Sequence, residues 1–187
     1  MTFYELPTSL TVGGVERKIR SDFRAVLDVL ISMNDPDLNE QAKTEVLIKI
    51  MYPGWRDIPT EHLEEAVQKA CAFIDCGQKD DGKHQPRLID WEQDATLIIP
   101  AVNKVACAEV RAIPNLHWWT FFSYFMEIGD STISTVIHIR EKRALGKKLE
   151  KWEQEFYKKN KDIIQISNEK KRDEEELKVL RELFGFQ

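Results

Sequence analysis

Leu116-His117-Trp118-Trp119-Thr120-Phe121-Phe122-Ser123-Tyr124-Phe125-Met126 is the densest apolar stretch of the chain, bounded by Pro114-Asn115 before it and Gly129-Asp130 after it. A helix apolar on nearly all sides either lies at the centre of a bundle or reserves a second face for a partner. The stretch therefore predicts the central helix of a helical fold. Trp118, Trp119 and Phe122 read as core, because Trp and Phe at helical spacing supply large apolar area, and His117 beside them reads as a core histidine that bonds or caps backbone. A cation cage or base-stacking platform is the alternative use of such a Trp pair.

Working back toward the N-terminus, short apolar runs at residues 10–12 and 15–19 flank Gly13-Gly14. Two adjacent residues free to take positive φ predict a small β-hairpin. Ser21 and Asp22 offer an N-cap to a helix carrying Phe23, Val26, Leu27, Leu30 and Met33, with an end near Asn34. Asp35-Pro36 predicts the start of a second helix with Leu38, Ala42, Val46, Leu47, Ile50 and Met51 on its buried face, closed by Pro53-Gly54. A third is expected after Pro59-Thr60, burying Leu63, Ala66, Val67, Ala70, Phe73 and Ile74 and stopping at Gly77. Residues 78–86 have no periodicity and read as a polar, mobile loop. Asp90 with Gln93 makes a capping-box pattern ahead of Trp91, Ala95, Ile98, Val102 and Val105, with Pro100 kinking rather than ending the helix.

Beyond the central stretch the character changes. Residues 141–187 hold 13 Lys and Arg against 11 Asp and Glu, leaving 14 against 21 in residues 1–140. Ile133, Val136, Ile137, Leu145, Leu149, Trp152 and Phe156 are spaced through that charged background. They predict one continuous helix over residues 131–160, roughly 45 Å long at 1.5 Å per residue, with Leu145, Leu149, Trp152 and Phe156 as a short seam. Residues 167–176 read as exposed, and Leu177, Leu180, Leu183 and Phe184 as a short docking helix. The expected architecture is mainly α: a helical core domain with an N-terminal hairpin over residues 1–130 and an extended, charged helical region over residues 131–187.

Composition narrows the function. The chain has 187 residues and a net charge of −5, with 42% hydrophobic and 32% charged residues, 8 Gly and 7 Pro. So few turn formers exclude a barrel of many short strands, and the apolar content excludes a disordered chain. An odd set of cysteines, Cys71, Cys76 and Cys107, and an N-terminus without a basic n-region or long apolar core predict reduced, buried thiols in a cytosolic protein. No run approaches the roughly 20 apolar residues of a membrane span. Walker, dinucleotide, His-Glu-x-x-His and nucleophile-elbow motifs are missing, so no enzyme and no cofactor are expected. Cys71 and Cys76 with His84, His117 or His138 lack a second ligand pair at zinc spacing, so no metal is expected. The runs Lys142-Arg143, Lys147-Lys148, Lys158-Lys159-Asn160-Lys161 and Lys170-Lys171-Arg172 are interleaved with acid on an acidic molecule, which favours a solvated or partner-facing helix over nucleic acid. Leu149, Trp152 and Phe156 are the expected partner-binding residues, large apolar groups beyond the point where a core should be complete.

Several of these blocks together resemble the bacteriophage Gp-fifteen family, small proteins encoded by long-tailed phages and prophages, across most of residues 6–160. Ser21-Asp22-Phe23-Arg24 after the hairpin is similar to the family's Ser/Thr-Asp-Phe-Arg, and Phe73-Ile74-Asp75-Cys76-Gly77 to its aromatic-x-x-Cys-Gly segment. Asp90-Trp91-Glu92-Gln93-Asp94-Ala95 resembles its Asp-x-Glu-x-Asp-Ala helix start. Leu116-His117-Trp118-Trp119-x-Phe121 is the most specific block, followed by Ile137 and Arg140 as Ile-x-x-Arg, and then by Lys151 and Phe156-Tyr157-Lys158. The chain departs from the family at Ala101-Val102-Asn103 and Val110-Arg111-Ala112-Ile113.

The resemblance implies tail morphogenesis in the cytoplasm of a bacterial host. Its specific expectation is a non-catalytic tail assembly chaperone that binds the tape-measure protein and is able to self-associate. A structural tail or connector subunit retained in the virion is the second expectation, and a small nucleic-acid-binding regulator the third.

Overall fold

The computed structural model describes residues 5–78 and 86–166. Among them are eight α-helices and one two-stranded antiparallel sheet at the N-terminus, so the fold is mainly α. They form two compact units, residues 5–78 with 115–119 and residues 86–114 with 120–166. The loop expected at residues 78–86 falls almost wholly, and the docking helix expected at Leu177–Phe184 entirely, outside the described residues, as does the exposed run at 167–176.

In the first unit the hairpin forms as expected, β1 (Ser9–Val12) against β2 (Val15–Lys18), with Val12 opposite Val15. Gly13 and Gly14 turn it at φ 57° and 72°. Gly13 is required twice over: it takes φ 57°, and a Cβ there would meet the His62 ring at 2.5 Å; its N–H donates to Glu65 Oε2 at 2.8 Å. Helix α1 (Phe23–Met33) has the expected bounds, because Asp22 accepts the Arg24 N–H at its start and Asn34 ends it. Helix α2 (Glu40–Met51) begins later than Asp35-Pro36 suggests. Asp35 spends its carboxylate on the N–H of Asp37, a local turn, and Asn39 caps the helix by accepting from Ala42. Helix α3 (Leu63–Ile74) follows a short 3₁₀ turn at Thr60–His62 and buries Ala66, Ala70 and Phe73.

The role of the Leu-His-Trp-Trp block is seen at the end of α3. Trp118 Nε1 donates at 2.7 Å to Ile74 O, which the helix leaves open at its C-terminus, and Trp119 Nε1 donates at 2.8 Å to Phe73 O as a second donor. The same end closes as a Schellman motif, with Gly77 N–H on Ala72 O and Cys76 N–H on Phe73 O. Cys76 takes the left-handed position next to the cap, at φ 54°, and Gly77 follows it at φ 73°. His117 is buried; its Nδ1 accepts the Trp119 N–H, leaving Nε2 to donate to Pro7 O at 2.9 Å. Trp118 is 1% exposed, whereas Trp119 is half-buried and stacks on Phe73. Asp22 ties the block to α1, accepting the Leu116 N–H, while Phe23 N–H donates to Leu116 O and Trp118 N–H to Ser21 O.

In the second unit, Asp90 accepts the N–H groups of Glu92 and Gln93, but the cap serves a turn, and α4 (Ala95–Ala106) starts only at Ala95. The helix continues through Pro100, as the unbroken apolar phase implied. Helix α5 (Trp118–Met126) enters this unit from Thr120, where half-buried Phe122 stacks on Phe125 and Trp91 tilts against Phe125. The continuous helix expected over residues 131–160 does not form. That span holds two helices, α6 (Thr132–Ala144) and α7 (Lys151–Lys159), and α8 (Lys161–Ile164) follows it. Gly146 at φ 66° supplies a second Schellman stop, with Gly146 N–H on Arg143 O and Lys147 N–H on Lys142 O.

Arg140 of α6 ties α8 to the start of α4. Nη1 donates to Asp94 Oδ2 (2.6 Å) and Leu88 O, Nη2 to Asp94 Oδ1 (2.9 Å) and Ile163 O, and Nε to Ile164 O. All five guanidinium donors are used, with the two side chains 5% and 1% exposed. Arg140→Lys cannot reproduce the fork and leaves buried carbonyls open, so it is expected to cost about 3 kcal/mol. Urea unfolding of both proteins checks this; a difference below about 0.5 kcal/mol would show that the pair is dispensable.

Candidate partner-binding surface

Helix α6 starts from a serine box, in which Ser131 Oγ accepts the Ser134 N–H and Ser134 Oγ accepts the Ser131 N–H. It buries Ile133, Val136, Ile139 and Arg140. Val136, Ile139 and Ile164 form an apolar cluster, against which Leu97, Leu149, Phe156, Tyr157 and Ile163 pack. Two of the three expected contact residues, Leu149 and Phe156, are thus half-buried on this cluster, and the structure leaves Trp152 apart from them at 51% exposure.

The reason is a carboxylate. Glu153, the residue after Trp152, is fully buried. Its Oε1 accepts Lys142 Nζ at 2.6 Å and His138 Nε2 at 3.0 Å, and its Oε2 accepts the Glu150 N–H at 2.6 Å. His138 and Lys142 stand one turn apart on α6, so one side chain binds the first turn of α7 to its neighbour and fixes its rotation. Neighbouring positions on a helix lie about 100° apart; with Glu153 turned in, Trp152 is turned out.

Trp152 is also held. Its indole Nε1 donates to Glu150 Oε2 at 3.0 Å. Leu145, the residue that caps α6, is 52% exposed, and Lys147, Lys148 and Lys151 between the two are exposed as well. The surface is a constrained indole and an exposed leucine set among lysines, at the junction of two helices. Periodicity assigned Leu145 to a seam and did not single it out as a contact residue, because its exposure follows from the stop at Gly146. Glu153 carried no signal either, as a glutamate in a Lys/Glu-rich segment reads as solvated.

The cysteines differ from expectation: Cys71 and Cys107 are exposed and Cys76 is half-buried. Burial, with Asp75 nearby, pushes the Cys76 thiol up to about 11, which keeps it protonated at neutral pH. Among the described residues no group of three or more His, Cys, Asp and Glu is placed to hold a metal ion. No helix of the described residues is long and apolar enough to cross a membrane.

The Lys142 ammonium, against the opposing effect of burial and with help from the Glu150 N–H and His138, holds the Glu153 carboxyl below its usual range. A carboxyl depressed in the folded state stabilises above its unfolded pKa of about 4.3 and loses that contribution as pH falls through the lower folded value. Glu153→Gln is therefore expected to unfold at a lower temperature than the wild type at pH 7, with the gap narrowing below about pH 4.3. Melting curves from pH 7 to pH 3 check this; a gap independent of pH would mean that the ionised carboxylate contributes nothing.

No curated protein and no solved structure matches the chain. The family described as Bacteriophage Gp15 protein matches residues 3–166, a span that includes every helix and strand of both units. With the match spanning most of its length, the chain belongs to the Bacteriophage Gp15 protein family.

Proposed function

We propose that the chain is a non-catalytic phage tail assembly chaperone that holds an unassembled tail protein, the tape-measure protein first of all, in the cytoplasm of the bacterial host. The observation that carries this reading is Trp152, exposed yet held by Glu150 on a helix whose inner face is pinned through Glu153. A long tape-measure chain presents apolar helical seams before the tube forms around it. A rigid aromatic group gains more on contact than a mobile one, because less side-chain freedom is lost. Leu145 extends the apolar contact, and Lys147, Lys148 and Lys151 supply steering and solubility at its rim. Family membership supports the phage setting.

The test is capture of the tagged chain from host cells expressing the tail genes, with mass spectrometry of what accompanies it and of finished particles. The tape-measure protein should be recovered and this chain should be missing from virions. Trp152→Ala should lower recovery about tenfold, the scale of a single aromatic hot spot, with the melting temperature unchanged. Stoichiometric presence in virions would replace the chaperone with a structural tail or connector subunit. Undiminished capture by Trp152→Ala would remove the indole from the contact.

A further inference from the structure

We propose that the C-terminal end of α2 is a second binding site, for an acidic segment of a partner protein. This site is built from residues remote in sequence from Trp152 and does not depend on the chaperone reading.

Four arginines are matched by a carboxylate: Arg24 by Asp22, Arg87 by Asp90, Arg111 by Glu109 and Arg140 by Asp94, all at 2.6–2.9 Å. Arg20 and Arg56 are different. Arg20 is exposed; its Nη1 donates to the carbonyls of Lys49 and Ile50 in the last turn of α2, and its main-chain N–H donates to Met51 O. Arg56, also exposed, lies in the short 3₁₀ turn Trp55–Asp57 that follows, its Cζ 4.6 Å from the Trp55 ring centroid. Lys49 Nζ lies 5.3 Å from the same centroid. Two acidic groups are close: Glu45, whose carboxylate pairs with Lys49 at 3.1 Å, and Asp57, next to Arg56 in the turn.

This places three cations and one indole at a single helix end, within residues 1–140, where 14 basic residues face 21 acidic ones. Stacking a guanidinium on an aromatic face fixes its plane and leaves its N–H edge available for a carboxylate fork. Arg20 uses one terminal nitrogen on the helix and keeps other donors. Two guanidinium groups near one helix end suit two carboxylates on one short segment. A long polyanion such as nucleic acid would extend past this island onto the acidic remainder and be repelled, which favours a compact acidic peptide.

The probe is a hexaglutamate peptide titrated into the full, isotope-labelled chain, read by NMR at the Nε–H of Arg20 and Arg56 and the indole N–H of Trp55. Hexathymidylate and inorganic phosphate are titrated in parallel. The proposal expects the peptide to move these three signals, Arg56→Ala and Arg20→Ala each to weaken it about fivefold, and Trp152→Ala to leave it unchanged. Arg56 is exposed on a turn, so Arg56→Ala decides if Arg20→Ala disturbs α2. Signals that stay still at millimolar peptide, tighter binding of the oligonucleotide or of phosphate, or an Arg56→Ala variant of unaltered affinity would each overturn it.

Discussion

A buried guanidinium with every donor spent is the constraint on which the second unit depends. Arg140 reaches the carboxylate of Asp94 at the start of α4 and three main-chain carbonyls, Leu88 before that helix and Ile163 and Ile164 in α8. An ion pair out of water is stabilising only when its geometry and hydrogen bonds are complete, and in this unit they are. Gln93 adds further bonds to the carbonyls of Asp162 in α8 and of Gln165 just after it. With α8 held, Ile164 stays in the cluster with Val136 and Ile139, and α7 can pack Leu149 and Phe156 on it. The direction Trp152 faces is a consequence of that chain of contacts.

The first unit uses a different device for the same end. Asp22 and the Leu116–Trp119 block are joined by main-chain and carboxylate bonds, and the two indoles close the end of α3. Most of the residues that carry the family resemblance make structural contacts, while Lys151 and Lys158 are exposed. Ser21-Asp22-Phe23 meets Leu116-His117-Trp118, Phe73 and Ile74 accept the tryptophans, and Asp94 meets Arg140. The match to the Bacteriophage Gp15 protein family, residues 3–166, takes in all of these contacts. Trp152 is exposed, whereas Phe156, four positions on, packs on the apolar cluster.

Local signals were legible wherever they decided the structure. The bounds of α1 follow from Asp22 and Asn34, both adjacent to it, and the hairpin from Gly13-Gly14. Where two local signals competed, the reading failed: Asp35 looks like a helix cap but folds onto Asp37, and Asn39 takes the cap. The segment after residue 131 misled for a subtler reason. Leu145, Leu149, Trp152 and Phe156 keep a helical spacing across Gly146, so a break in the backbone left the apolar phase intact. Which of these four face the cluster is set by Glu153 and Arg140, tertiary partners 11 to 46 positions away in sequence, and no periodicity encodes that.

The group proposed to meet a partner is thus a constrained, outward-facing tryptophan at the junction of α6 and α7. Hydroxyl-radical footprinting of the chain alone and bound to the tail protein it captures tests this most directly, because oxidation of an indole reports its access to solvent residue by residue. Strong labelling of Trp152 and Leu145 is predicted in the free chain and their protection in the complex, with Trp118 unlabelled in both. Equal labelling of Trp152 in the two states, or its protection in the free chain, would contradict this.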